Sequence, residues 1–254
     1  MNKFTIIVII ALLGMAIVLI DNKLSGKKQV VLNGTKATMT TKQMMYIVVF
    51  GALATVVGFF EIPIGFIGVK LDLSEVIILI AFYVIGFKNV SYVIVLRSII
   101  RILLPSKTAA ESDIFWKLLG EVIAIFASYL IITSYIVTKK ICRVNEKPLI
   151  YAVPTEHKKI KRILYILGPI LSALLLTIGM TIFHTIVTMP LYLSGNQHLT
   201  IFSLLRDPNY ANQNILTIIK TILTMFGLVN VIKGVFSPLI FLTVKPQIEK
   251  IIMW

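Results

Sequence analysis

Apolar runs of about twenty residues recur along the chain, bounded by lysines, arginines or prolines, and no polar block between them is long enough for a separate soluble domain. That repetition fixes the solvent. Only 14% of the residues are charged and 57% are hydrophobic, against roughly 25% and 45–50% in soluble domains. The chain is read as an all-α integral membrane protein with one membrane domain.

In order, the spans expected are Phe4 to Ile20, Met44 to Phe60, Ser74 to Phe87, Val90 to Leu104, Phe115 to Val137 and Ile163 to Met189, with a last one from Leu228 to Val244. The first lacks a small-x-small cleavage site, so it is read as an uncleaved helix, residues 1–28 forming an N-terminal unit beside a main body over 42–250. Gly86-Phe87-Lys88-Asn89 predicts a tight turn. Asn214 to Phe226 predicts an apolar helix that Gly227 either interrupts or leaves continuous, which decides whether Asn230 and Lys233 lie at the outer end of a span or deep in a long helix.

The net charge of +14 would suit a nucleic-acid partner, but the basic residues lie mainly between the apolar runs. They report topology. Residues 139–162 hold the most basic stretch, and the alternation of basic loops puts the N-terminus outside and the C-terminus in the cytoplasm of a cell-membrane protein. A lone cysteine and three scattered histidines give no metal site, and there is no P-loop and no Ser/His/Asp grouping. No enzyme activity is expected.

A few polar groups interrupt the apolar segments. Asn230 and Lys233 stand three apart, on one helical face, and a lysine at membrane depth faces a cavity, a counter-charge or a ligand. Arg97 and Arg101 share a face, and their best acidic partners are Asp72, Glu75 and Glu121. They serve either an ion network or substrate contact. With Thr181 and His184 these residues outline a pocket toward the outside, for which Phe59, Phe60, Phe66 and Tyr192 offer apolar walls, and the loop Leu191 to Asn212 is long enough for a lid. Gly51, Thr55 and Gly58 make a small-residue face for a helix of this chain or of a partner.

These residues carry a family resemblance. Lys70-Leu71-Asp72-Leu73-Ser74-Glu75 is similar to the K-x-D-F-S-D that leads into the second helix of the substrate-binding S components of energy-coupling factor (ECF) vitamin transporters, riboflavin-specific ones above all. Leu119-Gly120-Glu121 is similar to a fourth-helix G-E. Met180-Thr181-Ile182-Phe183-His184, with Met189-Pro190-Leu191-Tyr192 after it, is similar to M-x-x-x-N followed by P-L-Y, and Val229-Asn230-Val231-Ile232-Lys233-Gly234 to F-N-L-I-K-G. His184 stands where the family has Asn, and Val229 where it has an aromatic.

The resemblance implies a six-helix S-component bundle plus the extra N-terminal helix. Riboflavin or a close analogue would be captured from outside and delivered with a membrane T subunit and two ATP-binding subunits. Riboflavin would be the transported ligand, with no cofactor. Asn230, Lys233, His184, Thr181, Asp72 and Glu121 would bind it, and Gly51, Thr55 and Gly58 would couple to the T subunit. The alternatives are an S component for another vitamin-like solute and a non-transport membrane scaffold.

Overall fold

A computed structural model describes residues 39–63, 70–104, 114–144, 148–151, 162–193 and 214–252. The span expected over Phe4 to Ile20, Phe66, most of the Leu191 to Asn212 loop, His157 and His198 lie outside them, as does the side chain of Tyr192. Among the described residues five helices are long and apolar enough to cross a membrane: α1 (Thr41–Gly58), α2 (Ser74–Leu103), α3 (Ile114–Ile141), α4 (Arg162–Leu191) and α5 (Ile215–Ile252). The protein is a helical, multi-pass membrane protein. Among the described residues the strands form a ribbon between α1 and α2, in which β1 (Glu61–Pro63) pairs antiparallel with β2 (Lys70–Asp72), Glu61 opposite Asp72.

α1 starts at a capping box that the apolar run alone does not mark. Gln43 N–H donates to Thr40 Oγ1 at 3.3 Å while Thr40 N–H donates to Gln43 Oε1 at 2.9 Å, satisfying two of the donors that a helix start leaves open. Its small-residue face is filled by α2.

α2 folds back on itself. A straight helix would separate Ser74 from Arg97 by roughly 34 Å, yet the Arg97 guanidinium donates to Ser74 Oγ at 2.9 Å. The reversal occurs at Gly86, whose φ of 81° and ψ of 173° are open only to glycine, within the turn expected from sequence. Beyond it the Asn89 amide donates to Ile85 O at 2.9 Å, taking up a carbonyl that the first arm leaves open. A Cβ on Gly86 would also stand 2.8 Å from Pro148 Cγ. Gly86→Ala is therefore predicted to cost about 1–3 kcal/mol through the backbone alone. A thermal midpoint in detergent equal to the parent's would refute this.

The hairpin is the centre of the bundle. In α2 72% of the most apolar window is buried, and in no other span does that share exceed 39%. Below the polar groups at its open end, Phe82, Tyr83, Tyr135 and Phe241 meet edge to face, with ring centroids 5.2–6.1 Å apart, and tie α2, α3 and α5 together.

The periphery records the lipid. On α4 the exposed side chains are Ile163, Ile166, Ile170, Leu174, Ile178, Ile182 and Ile186, one stripe at helical spacing. It spans roughly 34 Å at 1.5 Å per residue, close to the ~30 Å of a bilayer's hydrocarbon. α5 runs antiparallel beside it, with Phe226 against His184 and Gly234 against Ala173. Lys233 therefore sits near the middle of the stripe, at mid-membrane. Gly227 does not break the helix. An extra residue is absorbed there as a π turn over Leu223–Gly227, and α5 continues through Pro238 and Pro246 to Ile252. Of the two positions the sequence allows for Asn230 and Lys233, the structure adopts the deep one.

Candidate functional site

The open end of the hairpin gathers six charges. Arg101 lies between two carboxylates, Nη1 at 2.7 Å from Asp72 Oδ2 and Nε at 3.0 Å from Glu121 Oε1. Lys233 Nζ stands 3.0 Å from Glu75 Oε1, and Arg97 Nη1 lies 3.9 Å from the same oxygen. Asp72, Glu75 and Glu121 are thus the partners of the two arginines, as the sequence suggests. Lys233 pairs with Glu75, not with Glu121.

Helix geometry sets this arrangement. Asp72 ends β2 and its Oδ1 accepts the Ser74 N–H at 2.7 Å, fixing the start of α2 and placing Glu75 in its first turn, where the helix dipole favours an acid. Folding at Gly86 then returns Arg97 and Arg101 to that level. Gly58 lets the end of α1 reach the cluster: a Cβ there would lie 3.3 Å from Arg101 Nη1 and 3.4 Å from Asp72 Oδ1.

Burial works to raise the Asp72 carboxyl, but the Lys233, Arg101 and Arg97 charges and the Ser74 N–H outweigh it and hold it below its ordinary 3.8. A carboxyl lowered on folding stabilises above its unfolded value, and that contribution is lost as pH falls through the folded value. The stability gap between the parent and Asp72→Asn should accordingly be full at neutral pH and narrow below pH 3.8. Thermal melts down an acid series check it, and a gap that widens on acidification would overturn it.

A second polar layer lies toward the ribbon end, between α4 and α5. His184 opens a π turn over His184–Thr188, and its ring stacks on Phe226 of the facing π turn, centroids 4.7 Å apart and planes 17° from parallel. Phe183 meets the imidazole edge-on at 6.3 Å and stacks on Phe126 of α3 at 5.1 Å. π turns recur at functional sites because the extra residue re-aims the side chains around it. Neither the paired turns nor Phe226 is marked by the apolar pattern.

The layer is rich in polar atoms with nothing to bond. His184 Nδ1, Thr181 Oγ1, Thr188 Oγ1 and Asn230 Nδ2 are all buried without a hydrogen-bond partner among the described residues, and so are Arg97 Nε and Nη2 below them. Most buried polar atoms in proteins are paired, so such a cluster calls for a partner. Phe226, Asn230 and Lys233 follow one another at i, i+4 and i+7, a single face of α5 that joins the imidazole layer to the ion network. Chemically, the surface offers one flat aromatic wall, neutral donors and acceptors along it, and a cation at its lower end.

Other expected site residues fall elsewhere. Phe59 and Phe60 are 40% and 68% exposed at the end of α1, on the outside of the bundle and not along the α4–α5 face. Gly51, Thr55 and Gly58 are buried against this chain's own α2: a Cβ on Gly51 would lie 2.7 Å from Leu96 Cδ2, and Thr55 Oγ1 donates to Gly51 O at 2.8 Å. These three residues, expected as a face for a helix of this chain or of a T subunit, pack here within the chain, and α2 fills the space beside Gly51. Comparison of the chain with protein-family models, with curated proteins and with solved structures gave no match.

Proposed function

We propose that the chain is a substrate-binding S component of an ECF-type importer, taking riboflavin or a close analogue from outside and delivering it with a T subunit and two ATP-binding subunits. The observation that carries the reading is the layer of unpartnered polar atoms, His184 Nδ1, Thr181 Oγ1, Thr188 Oγ1 and Asn230 Nδ2, beside the stacked Phe226 ring. A planar heterocycle with carbonyl and N–H groups on its edge meets both needs: stacking for its faces, donors and acceptors for its rim. Counting the α2 hairpin as two rods brings the described helices to the six of the family bundle. The Lys- and Arg-rich connections then face the cytoplasm, and the ribbon end faces outward.

His184 supplies what an asparagine supplies at that place in the family, a donor and an acceptor, but in one plane set by its stack on Phe226. The test is optical. Purified alone, the protein should carry a yellow, flavin-fluorescent ligand, or quench the fluorescence of added riboflavin at micromolar concentration. A colourless protein that leaves riboflavin fluorescence unchanged removes the reading. A second reading, a membrane scaffold whose inner charges only hold helices together, is favoured by the balance of three carboxylates against three cations in the network. It predicts that same negative result.

A further inference from the structure

We infer that Glu75 is the positioning residue for Lys233, holding its ammonium at the lower end of the α4–α5 face while leaving two of its three N–H donors for a ligand. The inference rests on the reading of Asn230 and Lys233 as ligand-binding. A lysine side chain is a flexible stem with a point charge at its tip, so a fixed position for the tip requires a counter-charge. Among the three carboxylates of the network, Asp72 and Glu121 both hold Arg101, at 2.7 and 3.0 Å, and Asp72 also feels the Lys233 charge. Glu75 is the one 3.0 Å from Lys233 Nζ. Its other cationic neighbour, Arg97, is 3.9 Å away and makes its close contact with Ser74 Oγ at 2.9 Å.

The geometry of the pair matters as much as its distance. Lys233 Nζ lies 3.0 Å from Glu75 Oε1. One contact holds the ammonium there, and two of its three donors are left for a ligand. Glu75 is fully buried and fixed in the first turn of α2, whereas the Lys233 side chain keeps 14% of its surface exposed, on the face it shares with the unpartnered Asn230 amide. A buried anchor on the central hairpin thus aims a partly open cation on α5.

The experiment is a pair of double-mutant cycles on the full chain in detergent, with riboflavin as the probe. Glu75→Gln keeps the shape and removes the charge, and should weaken riboflavin about tenfold, as Lys233→Met does. The double variant should then bind no more weakly than Lys233→Met alone. An unchanged Kd in Glu75→Gln, or losses that multiply in the double variant, overturns the assignment.

Thermal melting without ligand gives the second cycle. Lys233→Met strands Glu75 and should lower the midpoint, and adding Glu75→Gln should recover part of it. Further loss in the double variant overturns the assignment even where Glu75→Gln alone does not fold. A parent protein that ignores riboflavin defeats the functional reading instead, and the melting cycle still decides whether Glu75 holds Lys233.

Discussion

Arg97→Ala is expected to destabilise the protein by about 3–5 kcal/mol, the usual result of removing one partner from a buried ion pair. Its side chain is wholly buried and joins the two arms of α2 through Ser74 Oγ at 2.9 Å and the Glu75 carboxylate at 3.9 Å. Removing it leaves a cavity at the centre of the hairpin and, among the described residues, turns a network of three anions and three cations into one with an excess of acid. Arg97→Lys should recover only part of the loss: Nη1 makes both contacts, but an ammonium is more strongly hydrated than a guanidinium and costs more to bury completely. Arg101→Ala makes the comparison: its side chain is 22% exposed, water screens the carboxylates it abandons, and its loss should be smaller. Chemical or thermal unfolding in detergent ranks the three, and an Arg97→Ala midpoint above that of Arg101→Ala would contradict the burial argument.

Gly234→Ala should be nearly as damaging, at about 3 kcal/mol, for a different reason. A Cβ there would lie 2.5 Å from Ala173 Cα and 2.7 Å from Ala173 N, so it meets the backbone of α4, where no rotamer change brings relief. The helices must part. Parting them displaces Asn230 and Lys233 from the α4 layer and pulls Phe226 off His184, so on the proposed function riboflavin affinity should fall together with stability. Gly168→Ala, four to five residues away along the same helix pair, meets nothing closer than 3.8 Å and should be almost neutral. Equal melting of the two variants would mean that α4 and α5 do not approach at Gly234.

What the sequence reveals follows from the range of each interaction. Span positions and the turn at Gly86 rest on local pattern and local backbone, and both are legible. The acids that meet Arg97 and Arg101 are also legible, because topology brings Asp72, Glu75 and Glu121 to one level and leaves few choices. Which of them Lys233 takes is settled by side-chain reach, and pattern alone does not give it. The face of Gly51, Thr55 and Gly58 reads the same whether its neighbour is α2 or another protein. A π turn adds one residue and barely disturbs an apolar stripe, so the stack of His184 on Phe226 is hidden, and Gly227 looks like a break when it is only an accommodated residue. Three-residue strands are too short for an alternating pattern. Lys245 illustrates the same limit: its basic neighbourhood suggests a cytoplasmic tail, yet it is fully buried 4.6 Å over the Tyr83 ring.

The reversal at Gly86 also makes the charge of the bundle's core depend on helices that follow it in the chain. Its arms, residues 74–85 and 87–103, rise only roughly 18 and 25 Å, and they carry Glu75, Arg97 and Arg101 into the bilayer. Lipid alone is a poor solvent for such a hairpin. Glu121 arrives with α3, and the Lys233 ammonium that pairs with Glu75 arrives later, with α5. Until α5 docks, the described network holds three carboxylates against two guanidiniums, so the helix that completes its charge is also the one the network draws onto the hairpin.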